Sequence, residues 1–283
     1  MVPHPDQVGF GWSAGGLVFP YFVGSLGALR ERGCATSATK MAGSSAGSLL
    51  AAFHGCDLET EAIITATRRM YYDLRTGGTT GRLGQVLHRF LEETLPVDAH
   101  ERCTEKTHVG VTRIFPRPVW EHELVSSWSS RDDLVASLLT SCHVPFFLEK
   151  YSVGRSFRDG FYTDGGFTSF IPVPRGIKES QVYQVTCFPI GRQVKRLKED
   201  RSSSPSPSPS GGGGGRVVNA FERLKLSPDL FRGEEETYPM SVFLRKAFVP
   251  GTDEEIDELL QMGRDDALQL IKTDPVLSRL ATK

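Results

Sequence analysis

Twice within residues 7–55 the chain repeats one local plan: a short apolar run, a Gly-x-Ser-x-Gly pentad, then a stretch with helical spacing. The pentads are Gly11-Trp12-Ser13-Ala14-Gly15 and Gly43-Ser44-Ser45-Ala46-Gly47. Gln7 to Trp12 predicts a short buried strand, and Pro20 suits the first position of a helix whose apolar run, Tyr21 to Leu29, stops at Gly33. Thr39 to Ala42 predicts a second strand feeding Ser45 to His54, a small-residue helix that stops at Gly55. Strand, helix, strand, turn, helix is the rhythm of a parallel α/β sheet.

A Gly-x-Ser-x-Gly turn between strand and helix also suits the nucleophile of a serine hydrolase, held at unfavourable dihedrals where strand and helix approach closely. Ser45 fits this role. Gly43 and Gly47 are small enough for the approach, and the helix starts at once, so its dipole and the Ala46 amide face charge developing on a substrate. Around Ser13 the helix is delayed until Pro20. That loose loop exposes backbone amides at Ala14, Gly15, Gly16 and Leu17, as an oxyanion hole requires.

The histidines decide the choice of base. The last of the seven is His143, and the best late acid, Asp164 in Tyr162-Thr163-Asp164-Gly165-Gly166, follows them all. A serine, acid, histidine chain order is therefore unavailable, and a Ser45-Asp164 dyad is the simplest arrangement. Phe161, Tyr162, Phe167 and Phe170 give the aspartate an apolar setting. A partly desolvated carboxylate is a better base than one in water, whose pKa is about 3.9. Gly165 and Gly166 let the backbone turn tightly behind it, whereas Asp159-Gly160 reads as an ordinary turn. His143 reads first as a core or surface histidine and second as a contact near the site. For Phe19, Tyr21 and Phe22, core packing comes before lining an acyl pocket.

The remaining composition narrows the function classes. A net charge of −1 argues against nucleic acid as a partner and against general attraction to acidic membranes. The five cysteines are never in Cys-x-x-Cys spacing and read as reduced thiols of a cytoplasmic protein, with no metal or cofactor expected. The uncharged run Val8 to Leu29 is glycine-rich and broken by Pro20, and no lysine or arginine precedes Arg30, so neither a signal peptide nor a membrane span is expected. Contact with lipid is expected from the surface, and organelle targeting stays open. Further helices are predicted over Leu58 to Leu74, Leu83 to Leu95, Arg131 to Cys142 and Asp253 to Lys272, with strands around Val109 to Arg113, Val119 to Val125 and Val182 to Cys187. Ser202 to Gly215, SSSPSPSPSGGGGG, predicts a disordered linker or loop insertion within one domain spanning 1–283, whose part 216–283 is helical and packs on the rest.

Taken together, these residues resemble the patatin-like phospholipase family. The likeness runs from Val8 to about Pro174, with an echo at Met262 to Ala267. Its parts, in family order, are Ser13-Ala14-Gly15-Gly16, the pentad around Ser45, the block Ser141-Cys142-His143-Val144-Pro145-Phe146, and Asp164-Gly165-Gly166 followed by Pro172. The resemblance implies a three-layer α/β/α sandwich, a Ser45-Asp164 dyad, and hydrolysis of acyl esters in lipids. Two departures stand out. Val18 and Phe19 occupy positions where the family loop usually has a basic residue and a glycine. Phe170 replaces an asparagine often found six residues after the aspartate, which either loosens the Asp164 turn or enlarges an apolar wall.

A second reading keeps this fold as a non-catalytic lipid-binding or scaffold protein. A third takes Gly9 to Ala14 as a dinucleotide loop, but the strand ending near Ala42 carries no acid for a ribose hydroxyl and the helix begins too late. Head group, acyl length and oligomeric state are not readable from the chain.

Overall fold

The computed structural model describes residues 4–117, 119–203, 221–233 and 239–281. Its first elements follow the predicted plan: β1 (Gly9–Trp12), α1 (Phe19–Glu31), β2 (Lys40–Ser44) and α2 (Ala46–Gly55). Next come α3 (Thr60–Gly77), α4 (Leu83–Thr94), α5 (Ala99–Cys103), β3 (Thr107–Phe115), β4 (Glu121–Val125) and α6 (Arg131–Ser141). A hairpin of β5 (Arg155–Phe157) and β6 (Gly160–Asp164) precedes β7 (Val182–Val185), α7 (Gly191–Ser203) and β8 (Leu224–Leu226). Three helices close the chain: α8 (Met240–Phe248), α9 (Asp253–Thr273) and α10 (Leu277–Leu280).

The strands form one sheet in the order β5-β6-β3-β2-β1-β7-β8, with β4 paired to β3 off that path. From β3 to β8 neighbours run parallel; β4, β5 and β6 are antiparallel to their partners. β3 is the junction. Its residues Val109 to Arg113 pair with β4 along one edge, so β2 and β6 must share the other. β2 occupies that edge up to Ser44 opposite Gly110, and β6 takes over with Asp164 opposite Val111. Because β2 runs parallel to β3 and β6 antiparallel, their C-terminal ends meet head-on, which brings the residue after Ser44 to Asp164.

One face of β1 sends Phe10 and Trp12 into a core shared with the helices; Trp12 meets the Phe22 ring edge-on at 5.6 Å. On the other face, Gly9 and Gly11 leave room for Pro174, Ile177 and the Pro172 carbonyl. That side is covered by this extended segment and by α7, through a smaller cluster of Ile171, Val194 and Leu224. The second outer layer of the sandwich is thus thinner than the first. α9, the amphipathic helix expected to close the domain, crosses α1 at Gly24 and Gly263, which let the backbones touch at the Leu260 and Tyr21 carbonyls. The crossing is locked by Tyr21 Oη donating to Asp266 at 2.8 Å, while Arg232 pairs with the same carboxylate at 2.6 Å.

Several expectations change. β5, β6, β8, α5, α7, α8 and α10 had no predicted counterpart, and most are too short to show a periodic pattern. The part 216–283 is not purely helical, since β8 extends the sheet there. α7 runs through Ser203, so the proposed linker gives up its first two residues to a helix; the rest of it lies outside the described residues. All five cysteines are free and buried. Among the described residues no helix is long and apolar enough to cross a membrane.

Candidate active site

Ser45 stands between β2 and α2 at φ 53° and ψ −126°, a strained conformation for a residue with a side chain. The two flanking glycines explain how the chain tolerates it. A Cβ on Gly43 would collide with the Gly47 backbone, and one on Gly47 would lie 2.5 Å from the Trp12 carbonyl oxygen and 2.6 Å from that of Ser13. The Ser45 amide donates to Ser141 Oγ at 2.9 Å, and Ser141 Oγ donates in turn to the Gly110 carbonyl at 2.6 Å.

Asp164 ends β6 with its side chain buried beside the Ser45 hydroxyl. The Gly166 amide donates to Oδ1 at 2.7 Å, Thr112 Oγ1 donates to the Asp164 carbonyl at 2.7 Å, and the Asp164 amide donates to the His143 carbonyl at 3.0 Å. Oδ2 has no hydrogen-bond partner. The Ser45 hydroxyl lies near enough to favour the charged carboxylate, yet without a formed hydrogen bond. Burial pushes the carboxyl up to about 6, against the opposing pull of the Gly166 amide and the Ser45 hydroxyl. Gly165 also has to be glycine, because a Cβ there would strike the Gly110 carbonyl.

Both residues open onto a cavity of about 320 Å³, lined also by Ala14, Gly15, Gly16, Leu17 and Ala46. Apart from Ser45, Asp164 and Cys142, every lining side chain is apolar. No hydrogen-bond acceptor takes the Gly15, Gly16 or Leu17 amide among the described residues, so these donors remain available. Ala14 differs: its amide donates to the Phe170 carbonyl at 3.0 Å, so it borders the cavity with its proton already used. Ser13 is buried, donating to the Ala14 carbonyl at 2.7 Å with Thr186 Oγ1 at 3.1 Å, and is absent from the cavity wall.

The aromatic residues divide. Phe19 lines the cavity, whereas Tyr21 and Phe22 serve the core through Asp266 and Trp12. Phe170 forms part of the wall and packs its ring on Phe188 and Phe221, while its carbonyl tethers the glycine loop. His143 is a core histidine: its Nε2 lies 3.3 Å from the Ser152 carbonyl, and burial holds its pKa down. Asp159 sits in the β5–β6 turn. Ser141, within the block Ser141 to Phe146, carried no expected role, and no sequence signal marked Leu244, Ala247 and Phe248 of α8, which roof the cavity.

A family model described as patatin-like phospholipase matches residues 13–175, more than half of the chain and the stretch holding Ser45 and Asp164. The chain belongs to the patatin-like phospholipase family. As a family member it is similar to the mouse (Mus musculus) omega-hydroxyceramide transacylase, with 29% identity over 59% of this chain and 28% of that protein. It is likewise similar to human patatin-like phospholipase domain-containing protein 4, with 29% identity over 59% of this chain and 67% of the relative. Human patatin-like phospholipase domain-containing protein 2 aligns over 99% of the chain at 22% identity, and the alignment spans 51% of that protein. The patatin-like fold is shared with Legionella pneumophila VipD, at TM-score 0.54 and 13% identity, over 97% of this chain and 67% of that one.

Proposed function

We propose that the protein is a lipid acyl hydrolase working through an acyl-Ser45 intermediate, with Asp164 as general base. The observation that carries this reading is the strained Ser45 beside a buried carboxylate with one free oxygen, both on the wall of an apolar cavity. As Ser45 Oγ attacks an ester carbonyl, its proton passes to Asp164 Oδ2. Negative charge gathers on the former carbonyl oxygen, within reach of the Gly15, Gly16 and Leu17 amides and the Ala46 amide at the start of α2. Collapse of that intermediate breaks the ester bond, and the protonated carboxyl gives its proton to the departing alcohol. Water, deprotonated by Asp164, then attacks the acyl-serine; the Oγ–acyl bond breaks as Ser45 takes that proton back from Asp164, and a fatty acid is released.

The cavity accepts an acyl chain in its apolar wall, and its mouth suits a lipid surface. Leu244, Phe248 and Phe167 line the cavity yet are 47%, 44% and 52% exposed, so the same side chains meet both substrate and surroundings. That placement supports peripheral contact with lipid. The described residues serve as one catalytic unit, because α8 helps line the cavity and α9 adds to the core.

A second reading, acyl transfer, has specific support from relatives named as a transacylase and as a 1-acylglycerol-3-phosphate O-acyltransferase. In that case an alcohol replaces water in the second step and the residues keep their roles. Incubating wild type and Ser45→Ala with an acyl ester, with and without an acceptor alcohol, tests both. Free fatty acid from wild type alone supports hydrolysis, a new ester supports transfer, and no turnover leaves the alternative of a lipid-binding protein with this fold.

A further inference from the structure

Among the hydroxyls around the cavity, Ser141 is the one whose two hydrogen bonds both reach the junction between Ser45 and Asp164. It ends α6, is fully buried, and does not line the cavity. Ser45 lies beyond the last residue of β2 and before the first of α2, so neither ladder nor helix supplies an acceptor for its amide. A buried amide without a partner is unfavourable, and here it belongs to a residue already strained by its positive φ. Gly110 sits at the matching gap on β3, with Ser44 paired opposite it and Asp164 opposite the next residue, Val111. Ser141 Oγ fills both needs, accepting from Ser45 at 2.9 Å and donating to Gly110 at 2.6 Å.

We infer that Ser141 is a positioning residue for the reaction: its hydroxyl ties the Ser45 turn to β3 at the point where β6 delivers Asp164, and so fixes the nucleophile against its base. The inference rests on the Ser45-Asp164 reading given above. Without the hydroxyl, the Ser45 amide and the Gly110 carbonyl lose their partner together. The turn is then free to relax its strain by rotating Ser45 away from Asp164. Because Ser141 does not touch the cavity, substrate affinity should not depend on it.

The test measures the rate at which a fluorophosphonate labels folded protein, alongside kcat and KM on a soluble acyl ester. Ser141→Thr and Ser141→Val have nearly the same shape and differ in the hydroxyl, so their ratio isolates the hydrogen bonds even where both lose stability. Ser137→Ala, which removes another buried hydroxyl of α6 that bonds to Leu134 and Trp128, reports the general consequence of such a loss. The expected result is slowing of labelling and kcat by about a hundredfold in Ser141→Val relative to Ser141→Thr, the scale of a small misplacement of reacting groups. KM should change little, and Ser137→Ala should label at the wild-type rate per folded molecule. Equal labelling by the Val and Thr variants, or equal slowing by Ser137→Ala, overturns the positioning role. If Ser45→Ala still labels as wild type does, the nucleophile assignment itself has failed.

Discussion

The Ala247 carbonyl, in the last turn of α8, lies where a Cβ on Gly16 would stand, and Gly16 itself holds φ +52°. Helix α8 therefore rests directly on the glycine loop, and the roof of the cavity and its proposed oxyanion donors are one packed unit. Gly16→Ala should lift α8 and distort the loop. Gly78 also has positive φ, at +86°, but nothing lies within 4 Å of its missing Cβ. Gly78→Ala should thus show only the conformational penalty of a backbone region kept for glycine, about 1–3 kcal/mol, with activity retained. Gly16→Ala should lose more stability in a urea melt and most of its ester hydrolysis.

The pH dependence should report Asp164. Its folded pKa is raised to about 6 by burial, and the base must be charged to accept a proton. Hydrolysis of a soluble ester should rise with pH through about 6 and then level. The same shift affects stability in the opposite sense. Between the ordinary carboxyl value of about 3.9 and the raised one, the folded state holds the proton more tightly, so this group's contribution to stability falls as pH rises through that window. Asp164→Asn should remove the activity step and flatten this part of the stability profile.

The lock between α1 and α9 gives a third prediction. Asp266 is buried and receives Tyr21 and Arg232, so Asp266→Ala removes the carboxylate that this cation and this hydroxyl share. Loss of one member of a buried charged pair typically destabilises by about 3–5 kcal/mol. Its neighbour Asp265 is exposed and accepts from exposed Gln261, and Asp265→Ala should stay within about 0.5 kcal/mol of wild type. Paired urea denaturation curves check both.

Much of the site was legible because strand, pentad and helix follow one another without interruption in residues 39–55, and because every histidine precedes Asp164. The glycine loop was legible as a source of amides but not as to which are free, since the carbonyl that takes the Ala14 proton belongs to Phe170. Ser141 reaches Ser45 across 96 residues of chain, from the end of a helix, and Gly110 joins that contact because the sheet register sets it opposite Ser44. Nothing local to any of the three announces that contact. Helix α8 was missed for a related reason: its two inward residues, Phe243 and Ala247, make too short a stripe, and Leu244 and Phe248 stay half exposed over the cavity.

Those half-exposed residues yield a fourth prediction. Leu244→Asp places a charge on the rim of an apolar cavity. Activity on long-chain esters presented in vesicles should fall well below activity on a short soluble ester, measured as the ratio of the two rates in mutant and wild type. An unchanged ratio would remove α8 from lipid recognition.

The dyad is tested most directly by mapping where a fluorophosphonate attaches. Wild-type protein should carry one adduct, on the peptide containing Ser45. Ser13→Ala should label as wild type does, while folded Ser45→Ala and Asp164→Asn should label little or not at all. An adduct on Ser13, or undiminished labelling of folded Ser45→Ala, would contradict the assignment of Ser45 as nucleophile.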